Sequence, residues 1–121
     1  DVKYTPTDGT PSLKKAILRY TEENYDRVAA PQNIIVSDGA KQSLWNVLFA
    51  LLNPQDEVIV LAPYWVSYPE QIKLCDAKPV IIEGKESNNF KVTPDQIAKA
   101  VTPRTRVLIF NSPRSATRRV A

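Results

Sequence analysis

Apolar positions set the reading of the chain. Leu13, Ile17 and Tyr20 recur at spacings of four and three, the period of one helix face, and Thr10-Pro11 ahead of them supplies an N-cap oxygen and a residue suited to the first helical position. A helix is predicted from Pro11 to about Val28, after a loop at Tyr4-Thr5-Pro6-Thr7-Asp8-Gly9, with its charged residues on a solvated face. Ile34-Ile35-Val36 is continuously apolar and β-branched, which predicts a strand covered on both faces, stopped by Ser37-Asp38-Gly39. From Ala40 to Leu52 the pattern is helical again, with Leu44, Val47, Leu48 and Leu51 on one face and Trp45, Phe49 and Leu52 widening it. Strands follow at Val58–Leu61, Pro79–Ile82 and Arg106–Phe110. Between them lie a short helix over Trp65–Cys75, in which Pro69 is tolerable only near the start, and a helix opened by the capping box Thr93-Pro94-Asp95-Gln96 and running through Val101. Alternation of this kind predicts an α/β fold with a mainly parallel sheet and helices on both faces, without repeats, low-complexity tracts or an internal domain boundary.

Composition narrows the chemistry. The 121 residues are 43% hydrophobic and 24% charged, the balance of a folded globular chain. Zero histidines remove Ser-His-Asp and Cys-His catalysis and the commonest transition-metal ligand, so no metal site is expected. The single Cys75 can form neither an internal disulfide nor a cysteine-rich zinc site and reads as a small buried hydrophobe in a reducing, cytoplasmic setting. No apolar run approaches the ~20 residues that span a bilayer, and Asp1-Val2-Lys3-Tyr4 has no signal-peptide pattern, so no membrane partner is expected. Net charge is +3, an excess matched by Arg114, Arg118 and Arg119 near the C-terminus. The remainder is balanced, which argues against a nucleic-acid footprint.

In open parallel sheets ligands bind beyond the carboxyl ends of strands, so the loops there carry the candidate chemistry. In Ser37-Asp38-Gly39-Ala40-Lys41-Gln42, Gly39 lets backbone come close to a ligand and the helix start offers N–H groups to an anion. Lys41 puts a positive charge where the helix macrodipole already repels it, a local cost that an anionic ligand would offset. In Leu61-Ala62-Pro63-Tyr64-Trp65-Val66-Ser67-Tyr68-Pro69, aromatic rings and prolines crowd the end of a strand, a rigid platform on which a flat heterocycle could stack, with ordinary core packing as the plainer alternative. Asn111-Ser112-Pro113 could offer an amide or hydroxyl to the same ligand.

Taken together these loops resemble the first part of the large domain of class I aminotransferases, the fold-type-I pyridoxal-phosphate enzymes typified by bacterial aspartate aminotransferases. The matching elements are Tyr4-Thr5-Pro6 with Gly9 and Leu13, Asp38-Gly39-Ala40-Lys41-Gln42, Asp56-Glu57-Val58-Ile59-Val60, the heptad Pro63 to Pro69, Thr102-Pro103-Arg104-Thr105 and Asn111-Ser112-Pro113. They stand in the family's order and spacing. The resemblance implies that Gly39, Ala40 and Lys41 line the cup for the phosphate of pyridoxal 5'-phosphate and that Trp65 stacks on the pyridine ring. It further implies that Tyr4 reaches the phosphate bound by a neighbouring subunit, which makes the parent a homodimer, and that Lys41 also helps hold the distal carboxylate of an acidic substrate.

Departures from the family begin at Arg114. There the family continues toward Asn-Pro-Thr-Gly, whereas Arg114–Ala121 keeps only Thr117 and Val120 of that pattern. Ser115 falls where the family's Asn bonds the cofactor's ring hydroxyl and contacts the substrate carboxylate, so it is the cofactor and substrate contact implied at that position. The family's Schiff-base Lys, its Asp at the pyridinium nitrogen and its α-carboxylate Arg have no counterpart here, and no residue of the chain is assigned a catalytic role. The expectation is therefore a partial cofactor-binding large domain over 1–121, a fragment inactive alone. Its parent would move an amino group between an amino acid, aspartate or another acidic one, and a 2-oxo acid. The alternatives are a family member acting on aromatic or other amino acids, or a non-catalytic α/β module with a basic tail.

Overall fold

The computed structural model describes residues 4–111. Helix α1 spans Pro11–Tyr25, α2 Ala40–Leu51, α3 Ser67–Leu74 and α4 Pro94–Ala100, while strands β1, β2 and β3 span Glu57–Ala62, Lys78–Glu83 and Thr105–Ile109. The chain divides into two compact units, Asp1–Asn46 and Val47–Ala121, the division falling within α2.

In the first unit the local signals act as the sequence predicts. Thr10 caps α1 by accepting the Leu13 N–H at 3.4 Å, with Pro11 in the first turn. The helix ends at Tyr25, earlier than Val28, because Asp26 takes a left-handed conformation (φ 51°) that α-helix cannot continue through. Its charges are not all solvated. Lys14 is buried, and its ammonium pairs with the Asp8 carboxylate in the preceding turn. That hydrogen bond holds the Asp8 carboxyl below its ordinary range.

The predicted strand at Ile34–Val36 is extended but joins no ladder among the described residues; Ile34 has φ −113° and ψ 125°, and the Val36 N–H donates to the Asp8 carbonyl at 3.0 Å. Local preference gives the extended backbone, whereas a strand also needs an edge to pair with.

The second unit holds a three-stranded sheet in the order β2-β1-β3, parallel throughout. Central β1 is buried along Val58-Ile59-Val60-Leu61, as a strand covered on both faces must be. On one face Ile59, Leu61 and Ile82 form a cluster against which Val80, Val92, Ile97 and Ala100 pack, so α4 covers that side. Chain direction accounts for the other face. From β1 the chain moves outward to β2 through α3, then back across β1 to β3 through α4, and right-handed crossovers in opposite directions put the two helices on opposite faces. Ile72 of α3 is fully buried. The expected α/β architecture with a parallel sheet is what the chain adopts.

Thr93 and Gln96 close the capping box of α4 reciprocally, with the Gln96 N–H donating to Thr93 Oγ1 at 3.3 Å and the Thr93 N–H to Gln96 Oε1 at 2.9 Å. Helix α3 starts at Ser67 rather than Trp65, which keeps Pro69 in the first turn, where its missing N–H has no intrahelical partner to lose.

Candidate functional site

Two segments carry the candidate chemistry, one in each unit. In the first unit α2 opens from the turn Ser37-Asp38-Gly39. Gly39 has φ +83°, the left-handed region, and a Cβ built on it would meet nothing within 4 Å. Backbone there is open to approach, and only glycine takes the conformation without strain. The Gly39 N–H donates to the Ser37 carbonyl at 2.8 Å and the Gly39 carbonyl accepts the Ser43 N–H at 3.2 Å. The Gln42 side chain accepts the Asp38 N–H, so it closes the turn from inside the helix. The opening N–H groups of a helix have no carbonyl partner within it, and with Lys41 exposed in the first turn this end presents donors and a positive charge together. An anion of the size of a phosphate fits such a terminus. Tyr4 is fully exposed at the start of the same unit.

In the second unit, the candidate segments follow the carboxyl ends of β1 and β3. The order β2-β1-β3 makes these neighbours the point where the chain's crossovers turn in opposite directions, the place where open α/β sheets form a ligand crevice. Val60 pairs with Ile109, so two residues on Ala62 and Asn111 come level. From Ala62 the chain passes through a cis bond to Pro63 and then Tyr64-Trp65-Val66 into α3. Trp65 is 52% exposed among the described residues, so part of its indole surface is open at the strand end. The Tyr68 N–H returns to the Trp65 carbonyl at 3.0 Å, and Asn111 Nδ2 donates to the Tyr68 hydroxyl at 3.4 Å.

Of the site residues expected from sequence, Gly39, Ala40 and Lys41 stand consecutively at one helix start, Tyr4 belongs to that unit, and Trp65 belongs to the other. Ser115 lies outside the described residues, as does the divergent segment from Arg114. The bond between Tyr68 and Asn111 had no local signal, because the two residues are 43 positions apart. Cys75 is partly buried at the end of α3, and burial pushes its thiol pKa up, with Asp76 adding to the shift, so it is not an activated nucleophile.

Known proteins resemble this chain in sequence and in fold. The family model described as "Aminotransferase class I and II" matches residues 2–121. The chain is 47% identical over 115 residues to an aspartate aminotransferase of Geobacillus stearothermophilus, covering 95% of this chain and 29% of that protein. It is 47% identical over 111 residues to an aspartate/prephenate aminotransferase of Nitrosomonas europaea, covering 92% and 28%. The crystal structure of the aspartate aminotransferase from Rhizobium meliloti superposes with a TM-score of 0.90 at 43% identity, covering 93% of this chain and 28% of that one. The chain thus spans under a third of the length of these relatives, and within that span fold and sequence agree: it belongs to the class I and II aminotransferases.

Proposed function

We propose that this chain is the cofactor-binding portion of an aminotransferase that moves an amino group from aspartate, or another acidic amino acid, to a 2-oxo acid with pyridoxal 5'-phosphate. The observation that carries the reading is the opening of α2. A left-handed glycine with clear space around it, helix-terminal N–H donors and the Lys41 charge suit a phosphate monoester, and the half-exposed Trp65 suits a flat ring. When bound, the cofactor supplies an electron sink for chemistry at the amino acid's α-carbon.

Residues of this chain bind and orient. Gly39 and Ala40 would hold the phosphate through backbone N–H groups, Lys41 would add charge there and reach the substrate's distal carboxylate, and Trp65 would hold the ring by stacking. Ser115 would stand at the cofactor's ring hydroxyl and the substrate carboxylate, and Tyr4, fully exposed, would serve a partner subunit's phosphate in a homodimer. A cytoplasmic location belongs to the same reading; among the described residues no helix is long and apolar enough to cross a membrane.

Relatives named aspartate/prephenate aminotransferases favour a second substrate class, in which a bulkier carboxylated ring shares the site with aspartate. The test uses the full-length protein. Amino transfer from aspartate to 2-oxoglutarate should require added pyridoxal phosphate after the cofactor is stripped. A protein that neither binds the cofactor nor transfers the amino group would overturn the proposal, and prephenate offered as acceptor separates the two substrate readings.

A further inference from the structure

Two polar groups from segments far apart in sequence meet at the carboxyl edge of the sheet. Asn111, the second residue beyond β3, donates from Nδ2 to the Tyr68 hydroxyl at 3.4 Å. Tyr68 is the second residue of α3, and its own N–H is bonded to the Trp65 carbonyl at 3.0 Å. The Tyr68 main chain is thereby tied to that of Trp65, and the phenol hydroxyl ties the same residue to the segment after β3. The ring of Tyr68 is half-buried and would pack as well without its oxygen, so the hydroxyl's distinct contribution is this bond.

We infer that Tyr68 and Asn111 are positioning residues, a bridge across the β1 and β3 ends that fixes the loop carrying Trp65 relative to the segment following β3, and so sets the angle at which the indole meets a bound ring. The inference rests on Trp65 being the platform for the cofactor. A phenol hydroxyl both donates and accepts, which makes the bridge separable from packing. Tyr68→Phe and Asn111→Ala each remove it, whereas Asn111→Asp keeps it with the phenol as donor.

The experiment uses the full-length protein and reads the induced circular dichroism of bound pyridoxal phosphate, its dissociation constant, and the thermal midpoint of the stripped protein. Tyr68→Phe and Asn111→Ala should each weaken the induced signal and raise the dissociation constant about three- to tenfold, on the order of 1 kcal/mol by the tenfold-per-1.4 relation. The double variant should be no worse than either single one, Asn111→Asp should recover most of the signal, and the thermal midpoints should stay within about two degrees of wild type. Additive losses, unchanged signals, or losses that follow a lowered thermal midpoint would overturn the bridge. Wild-type protein that binds cofactor without Trp65→Ala affecting it would instead remove the platform, and the bridge's role with it.

Discussion

Lys41 stands exposed in the first turn of α2, an end already made positive by its N–H groups, so its charge carries a small electrostatic cost there. If it holds the distal carboxylate of aspartate, Lys41→Ser in the full-length protein removes a charge-assisted hydrogen bond worth roughly 1.5–3 kcal/mol. kcat/KM for aspartate should fall roughly ten- to a hundredfold, and that for alanine much less, at saturating cofactor. Equal losses for both would assign Lys41 to the phosphate alone. Two glycines offer a sharper contrast, because both have positive φ but differ in surroundings. Gly39 (φ +83°) has clear space, while a Cβ at Gly9 (φ +106°) would stand 2.5 Å from Val36 Cγ2. Gly39→Ala should lower stability by about 1–2 kcal/mol through backbone strain, and Gly9→Ala by more, because collision adds to strain. Denaturant midpoints of the two variants measure this, and equal shifts would show that Val36 yields freely. The open turn at Gly39 is legible in the sequence because the turn and its helix are contiguous; the collision at Gly9 is not, because Val36 is brought to it by the fold.

Between elements, the turn from α2 into β1 depends on one carboxylate. Asp56 accepts the Asn53 N–H at 2.8 Å, which closes the turn, and its other oxygen lies 3.4 Å from Arg106 Nε on β3. The Asn53 N–H first, and the Arg106 guanidinium after it, hold this carboxyl below its ordinary range. A depressed folded-state pKa means that the contribution is present above the unfolded value of about 4 and is lost as pH falls through the folded one. Asp56→Asn keeps an acceptor for Asn53 but loses the charge, so the variant should be less stable at neutral pH and show a flatter decline below about pH 4 in chemical denaturation. An unaltered acid slope would exonerate Asp56. Asp8, depressed by Lys14, has the same sign and should account for part of the remaining slope. The capping box at Thr93 could be read directly, since its two halves are three residues apart and act on each other. Ile34–Val36 misled for the converse reason: its β-branched run specifies extended backbone, and pairing depends on residues elsewhere. Burial of Lys14 is not visible in the helical pattern for the same cause, its partner Asp8 lying outside the helix.

At the scale of the molecule, the continuous apolar strands lead one to expect unpaired edges and open apolar faces, and the structure shows where they lie. From Leu44 to Leu51 helix α2 is apolar but for Asn46, yet only Leu48 lies fully within the core while Val47, Phe49 and Leu51 are exposed. A helical stretch apolar on all its faces is one that other elements cover. In the sheet, β2 and β3 each pair on one side only among the described strands, and Ile81, Leu108 and Phe110 are exposed at or near them. Open edges next to apolar side chains are a template for association, because main-chain donors and acceptors and the uncovered surface are satisfied together by another copy. The 121-residue polypeptide by itself should therefore self-associate, its average mass in sedimentation rising with concentration, whereas the full-length protein should hold one fixed oligomeric state over the same range. Charge cannot prevent this, since a net +3 is small and is screened within about 10 Å at 0.1 M salt. The polypeptide's association should thus persist when salt is lowered and weaken when Phe49 and Leu108 are together replaced by polar residues. A stable monomer at high concentration with one cooperative thermal transition would show that the exposed face of α2 and the edge of β3 repack against the chain's own residues.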